Sequence, residues 1–140
     1  MRLLLDTNVY VNMVREPDRL TDDVKALLEN PENLLYLSVE SVHELVTAYR
    51  SKGLLKDKFR TERDMVDFVF SDYAIAIDYP DAHVLRQLAD LRINDAQKHY
   101  DPVDHLIIAQ AMAHHMTLVS SYSKFPYYTK QGLHLVENRY

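Results

Sequence analysis

Three consecutive leucines, Leu3 to Leu5, run straight into Asp6 in the stretch LLLDTNVYV. An apolar run this short, with no alternation, fits a strand covered on both faces rather than one with a wet side. Strands of that kind belong to parallel sheets with helices packed above and below, so these few residues already favour an α/β architecture. They also raise a chemical question, because a carboxylate stands where the buried strand ends.

The rest of the chain repeats the alternation. Short apolar segments at residues 2–6, 34–37, 73–77, 116–120 and, more weakly, 133–136 are predicted strands, separated by stretches with helical spacing and free of repeats. The 140 residues are one domain's worth, predicted as a single unit over residues 1–140 that buries about two thirds of its unfolded surface. Ser38 is placed to cap a helix whose stripe is Val39, Val42, Leu45, Val46 and Tyr49, and Gly53 stands where a left-handed terminating residue is wanted. The segment DPVDHLIIAQAMAHH starts another, with Asp101 as cap, Pro102 at the first helical position and Asp104 at the third. Further helices are predicted over residues 7–15 and 20–30, divided around Pro17, over residues 56–71, built on Phe59, Met65, Val66, Val69 and Phe70, and from Pro80 to Ile93.

Alternating strands and helices pair in parallel, and right-handed crossovers bring every strand's C-terminal end to one rim, where such sheets bind ligands. Asp6 ends the first strand and lies on that rim. Glu44, six residues past Ser38, is about 9 Å along its helix at ~1.5 Å per residue, still in the half facing the rim. The Asp101 helix has to start there too and end where residues 116–120 begin. Residues 94–100 then return the chain, since seven extended residues reach about 24 Å. Asp6, Glu44 and Asp104 converge.

Three carboxylates so placed repel by about 4 kcal/mol per pair at ~4 Å and an effective dielectric near 20. A cation relieves this, and hard oxygen ligands with open positions suit Mg²⁺ or Mn²⁺. Each residue also has a plain structural explanation: Asp104 as reciprocal partner of the capping Asp101, Asp6 as cap of the helix starting at Thr7, and Glu44 as a solvated neighbour of its apolar stripe. Their joint placement favours the metal.

Composition removes several alternatives. There is no cysteine, which excludes disulfides, thiolate zinc sites and a cysteine nucleophile and fits a reducing cytoplasm. The broken apolar run at the N-terminus is too short and too acidic for a signal-peptide core, and no segment is long and apolar enough to span a membrane. A net charge of −5 argues against a broad basic face for duplex nucleic acid, so such a role needs local positive charge. The run RSKGLLKDKFRTER supplies some, although it reads first as a solvated face. Of the seven histidines, His114 and His115 project about 100° apart on a helix and cannot share an ion, while His99, Asp101 and His105 come closer without matching a known zinc motif.

LLLDTNV, SVHELV, DPVDHLIIAQA and TLVSSYSKF, in this order and spacing, resemble the PIN-domain nucleases, and most of all the VapC-type toxins of toxin–antitoxin pairs. DPVDHLIIAQA is similar to the family's Asp-Pro-Phe-Asp-Arg segment and is the most specific piece. The resemblance implies a three-layer PIN-like α/β domain, with a mostly parallel sheet of four or five strands flanked by helices. It also implies a metal-dependent endoribonuclease with Asp6, Glu44 and Asp104 as its acidic positions and Mg²⁺ or Mn²⁺ as cofactor. Thr7 and Asn8 fall where the family holds small polar supporting residues, and Asp101 supports as the cap. Further implications are a single-stranded or looped RNA substrate, a homodimer, and an antitoxin encoded alongside, for which residues 56–70 and the first helices are candidate surface.

Two departures from the family pattern stand out. Tyr122 occupies the place of a fourth aspartate, and a phenol is a poor metal ligand at neutral pH. Ser120, Ser121 or Asn8 are candidates to hold a metal-bound water instead. His105 replaces an arginine, which would make a rim cation conditional on pH. The expected chemistry has Asp6 and Asp104 as direct ligands of one Mg²⁺. Glu44 is either a ligand, direct or through water, or the base that orients the attacking water. Tyr122, Tyr127 and Tyr128, near Lys124 and Lys130, are stacking candidates or ordinary core and surface tyrosines. The rival readings are a noncatalytic PIN-like module that binds RNA or protein, suggested by Tyr122, and a phosphohydrolase with a strand-end nucleophile, which wants an aspartate where Asn8 stands.

Overall fold

A computed structural model describes residues 1–140. Five strands form one sheet: β1 (Arg2–Leu5), β2 (Leu34–Ser38), β3 (Ile75–Asp78), β4 (Thr117–Ser120) and β5 (Leu135–Glu137), in the order β3-β2-β1-β4-β5 with every pair parallel. β1 lies at the centre. Leu3 and Leu5 enter the core on one face and Leu4 the core on the other, all three fully buried, which is the two-sided covering expected of the leucine run.

Helices α1 (Thr7–Arg15), α2 (Asp22–Glu29), α3 (Val39–Lys52) and α4 (Glu62–Ser71) contribute Val9, Tyr10, Val24, Leu45, Tyr49 and Met65 to the first face. Helix α6 (Pro102–Ala113) covers the second with Ile107, Ile108 and Ala111, joined by Phe125 and Tyr128 from the segment after β4. Helix α5 (Ala82–Asp90) packs on the outside of α6 through Val84, Ala109 and Ala113. No helix is long and apolar enough to cross a membrane.

The expected caps form. Ser38 Oγ accepts from the Glu40 amide, Gly53 closes α3 at φ 70°, and Asp101 Oδ1 accepts from the Val103 and Asp104 amides. Other boundaries differ from the sequence reading for local reasons. The predicted 56–71 helix starts only at Glu62, because Thr61 Oγ1 caps it through the Asp64 amide and Leu55 adopts φ 64° in the turns that follow α3. Phe59 therefore precedes the helix, yet packs on Phe68 with ring centroids 5.1 Å apart. Asp81 Oδ1, accepting from the Val84 amide, fixes the start of α5 later than Pro80, and Pro17–Arg19 form a 3-10 turn between α1 and α2. The strand read as residues 73–77 begins instead at Ile75.

α6 also takes a path the sequence reading did not foresee. It begins near β1 with Asp104, but by Gln110 it has reached the ends of β2 and β3. There Gln110 Oε1 accepts from Ser38 Oγ at 2.7 Å and its Nε2 donates to the Asp78 carbonyl at 3.0 Å. His115 then turns the chain at φ 55° toward β4. The helix crosses the sheet obliquely instead of retracing a strand.

Candidate active site

Asp6 leaves β1 as the last residue before α1 and is only 5% exposed. Its Oδ1 accepts from the Thr7 amide at 2.8 Å and its Oδ2 from Ser120 Oγ at 2.7 Å, while Ser120 Oγ accepts in turn from the Tyr122 amide at 3.0 Å. The end of β4 thus fixes the rotamer of the acid at the end of β1. Ser120, expected to hold a water, has committed its proton to Asp6. Burial pushes the Asp6 carboxyl up to about 7, and the charges of Asp104 and Glu44 add to this against the lowering hydrogen bonds of Ser120 and Thr7.

Thr7 Oγ1 donates to Ser41 Oγ at 2.8 Å, which ties α1 to the first turns of α3, and Glu44 follows three residues on. Oxygens of Glu44, Asp101 and Asp104 lie within 4.8 Å of one another. Asp6 stands beside this triplet, coupled by charge to both Asp104 and Glu44. The structure therefore brings the three expected acids to one place and adds Asp101, read from sequence as a cap and support.

Asp104 is braced from below. Its Oδ2 lies 3.0 Å from His99 Nε2, and His99 Nδ1 lies 2.8 Å from the Tyr128 hydroxyl, which accepts from the Asn94 amide at 3.1 Å. The consistent assignment runs the donors outward: Asn94 N–H to Tyr128, Tyr128 O–H to Nδ1, and Nε2–H to the carboxylate. His99 is 1% exposed, and burial, followed by the Lys124 charge, lowers its pKa, so it is neutral here and orients Asp104 without neutralising it. Asp104 is itself raised to about 7, first by burial and then by Asp101 and Glu44, with Lys124 pulling the other way.

Several residues stand elsewhere than the sequence suggested. His105, expected as a pH-conditional cation on the rim, is buried, and its Nε2 donates to the His99 carbonyl at 2.8 Å. His99 and His105 thus brace a loop, and His114 spends both ring nitrogens on Asp78 and Asp81, so these nitrogens are engaged without a zinc ion. Tyr128 is fully buried. Tyr127 and Tyr122 remain exposed, and the Tyr122 ring leans on His99 and Phe125, with centroids 5.7 and 5.4 Å away and Lys124 Nζ 5.8 Å above it. Ser121 Oγ accepts from Asn138 Nδ2. Asn8 Oδ1 is buried with no partner in the protein.

Sequence reading missed the role of His99, Tyr128 and Asn94. One signal was available: a histidine two residues ahead of a helix-capping aspartate is positioned to meet the first turn of that helix.

The donor set around Asp6, Glu44, Asp101 and Asp104 is all oxygen, and two of its members, Asp6 and Asp104, have carboxyls raised to about 7, first by burial and then by their acidic neighbours. That fits a hard divalent cation, which would replace the protons.

Comparison with known proteins places the chain among others. The model of the PIN domain matches residues 3–129. Solved structures of similar fold include VapBC2 from Rickettsia felis bound to a DNA fragment from its promoter, with TM-score 0.68, 23% identity and 98% of each chain covered. VapBC-1 from nontypeable Haemophilus influenzae gives TM-score 0.69 and 15% identity over 98% of each chain. FitAcB from Neisseria gonorrhoeae gives 0.65 and 22% over 97% of each. No curated protein sequence gives a significant match.

Proposed function

The chain belongs to the PIN-domain family, and from that premise we propose that it is a metal-dependent endoribonuclease acting as the toxin of a VapBC-type toxin–antitoxin pair. The observation that carries this reading is the meeting of Asp6, Glu44, Asp101 and Asp104 at the rim, two of them with carboxyls raised to about 7. The likeness in fold to VapBC and FitAB chains supports the toxin assignment. By the same analogy the chain forms a homodimer, works in the cytoplasm as one nuclease domain, and is held by a cognate antitoxin.

Asp6, Glu44 and Asp104 would hold a Mg²⁺ or Mn²⁺ ion, with Asp101 close enough to Glu44 and Asp104 to share it. Bound there, the ion supplies Lewis-acid polarisation of an RNA phosphodiester and a lowered pKa for a bound water. The chain's own residues then have separate tasks. Ser120 and the Thr7 amide fix Asp6, and His99 fixes Asp104. Glu44, whose carboxylate no side-chain hydrogen bond holds, is either a ligand or the acceptor of the attacking water's proton. Lys124 lies near enough to Asp104 and His99 to lower both pKa values and is the rim cation available to a substrate phosphate.

Incubating a mixed RNA pool with the protein and Mn²⁺, with and without EDTA, tests this. Cleavage that needs the metal and vanishes in Asp6→Asn is expected, together with a metal-dependent rise in melting temperature that the same variant loses. Binding of RNA without cleavage in any divalent metal would instead support the noncatalytic module that Tyr122 suggests.

A further inference from the structure

Two cavities flank the carboxylates, and their linings point to a path for the substrate. One, of about 380 Å³, opens where β4 and β5 end, between Asn8 and Asn12 of α1, the serines that follow Val119, Arg19 and Arg139. The other, of about 520 Å³, includes Glu44 itself, with Arg15 and Lys52 on its walls. Asn8 lines both.

We propose that the Arg19/Arg139 cavity is a subsite for the ribonucleotide next to the scissile phosphate, and that its amide and hydroxyl side chains read the ribose 2′-hydroxyl. This rests on the nuclease reading and extends it to the chemistry that tells RNA from DNA.

The cavity adjoins the acids through Ser120, whose hydroxyl is bonded to Asp6. Its walls are built, not incidental. Asn138, 3% exposed, accepts from the Thr21 amide at 2.8 Å and donates to the Arg19 carbonyl and to Ser121 Oγ, each at 2.9 Å, stitching the turn after α1 to the end of β4. Of ten lining residues only Tyr140 is hydrophobic, and it is largely exposed, so the cavity offers a protein side chain little apolar anchorage. What the lining offers is two guanidinium groups and several groups that both donate and accept. Arg19 is paired with Glu16, and Arg139 donates to Glu137, itself on the cavity wall, at 2.7 Å, so each guanidinium is oriented by a carboxylate that a phosphate would have to share. Asn8 lines both cavities, and its Oδ1 makes no hydrogen bond in the protein, although it is turned inward, so a side-chain rotation presents it to a donor such as a hydroxyl. The 2′-hydroxyl both donates and accepts and is what distinguishes ribose from deoxyribose at a single site. Cations on both sides of an acidic centre, in a chain of net charge −5, match a strand whose phosphates straddle the centre while one phosphate lies over it.

Fluorescence anisotropy with a labelled random ribo-dodecamer pool and its all-deoxy counterpart, in EDTA, tests the subsite without cleavage. The wild type should bind the ribo pool several-fold tighter than the deoxy pool. Replacing both arginines (Arg19→Ala, Arg139→Ala) should weaken both pools by about tenfold through lost phosphate contacts. Asn8→Ala and Asn12→Ala should each bring the ribo-to-deoxy ratio toward one while circular dichroism stays unchanged, and a ratio unchanged in both variants would overturn the 2′-hydroxyl reading. Equal binding of the two pools, no binding, or arginine variants indistinguishable from wild type would overturn the proposal. A parallel Mn²⁺ cleavage assay separates the two ideas: cleavage with an indifferent cavity removes only the subsite, and ribose-selective binding without cleavage removes only the nuclease.

Discussion

At the C-terminal edge of this sheet, two groups of carboxylates meet a histidine and are handled in opposite ways. In the group beyond β3, the His114 ring sits between Asp78 Oδ2, 2.6 Å from Nδ1, and Asp81 Oδ2, 3.0 Å from Nε2, while Gln110 Nε2 adds a donor to Asp78. Both ring nitrogens face carboxylates, so the ring holds both protons. Burial alone would lower the His114 pKa, but the hydrogen bonds and charges of Asp78 and Asp81 raise it, and Asp81 is lowered, mainly by the Val84 amide and His114. At the Asp6 end, His99 is buried deeper and faces Lys124, so it stays neutral and offers a hydrogen bond without a charge. In the first group the imidazolium balances one of the two carboxylate charges and both acids have a donor. The second is aimed but left negative, and charge is what a divalent ion brings.

Equivalent amide substitutions should therefore act in opposite senses. Asp104→Asn is expected to lower Mn²⁺-dependent RNA cleavage at least about a hundredfold, the scale for losing one group of an electrostatic site, and to leave the metal-free melting temperature unchanged or raised, since a buried repulsion is removed. Asp78→Asn should do the reverse. It leaves His114 short of a partner and should cost about 1–3 kcal/mol of stability, with cleavage retained and the metal-induced rise in melting temperature intact. Cleavage rates and thermal melts of both variants with and without Mn²⁺ check this. Equal destabilisation of the two would erase the distinction.

The difference also predicts what His99 does. His99→Leu removes the group that orients Asp104 and should weaken Mn²⁺ binding by about 10–100-fold, the usual effect of losing a partner of a metal ligand. His99→Gln, which can still donate to Asp104, should recover part of it. Calorimetric titration of the two variants distinguishes orientation from mere packing, because a packing role predicts similar losses in both.

Raising the pH should expose both groups and let metal rescue one. Asp6 and Asp104 have folded values near 7 against an ordinary carboxyl value of 3.8, so the native state holds more protons between those limits and loses stability as pH climbs through that window. The two acids interact and titrate as a pair. His114 is raised above 6.5, so its contribution is complete below that value and is lost as pH passes its folded value. Melting temperature followed from pH 5 to 9 in EDTA should fall as the pH climbs through the folded values of these groups and then level off. Saturating Mg²⁺ should restore the loss from the acids, by an amount that grows between pH 6 and 8, and leave the loss from His114. A metal-induced shift independent of pH would mean that these carboxyls are not the ones displaced.

Much of this was legible in the sequence where a local signal and a global one coincide. Leu3 to Leu5 fixed the central strand, and Asp101-Pro102 fixed the start of α6, because caps and unbroken apolar runs depend on near neighbours only. The convergence of Asp6, Glu44 and Asp104 followed from parallel topology alone. What stayed hidden depends on partners far along the chain: Ser120 acts on a residue 114 positions away, and His99 reaches Tyr128 29 positions on. The His114 latch was invisible for the same reason, because what joins the end of α6 to Asp78 is side-chain hydrogen bonds from Gln110 and His114 across 32 and 36 positions, not any periodicity within the helix.

Tyr122 gives the smallest and most delicate contrast, since it stands where the family commonly places a fourth acid. Its amide donates to the hydroxyl that holds Asp6, so position 122 is joined to the site by two hydrogen bonds, yet its ring is 39% exposed and leans on His99. Tyr122→Asp would exchange that packing for one more negative charge at the uncompensated end. Without metal the added repulsion should lower the melting temperature, and with metal the new oxygen should tighten Mn²⁺ binding by about tenfold or less, because Lys124, close to this ring, screens part of the charge. Calorimetry at pH 8 paired with melts in EDTA reads both halves. Tighter binding without apo destabilisation would place the new carboxylate at the ion but away from Asp6 and Asp104, and no change in either would mean that position 122 faces solvent and that the site is complete with the acids it has.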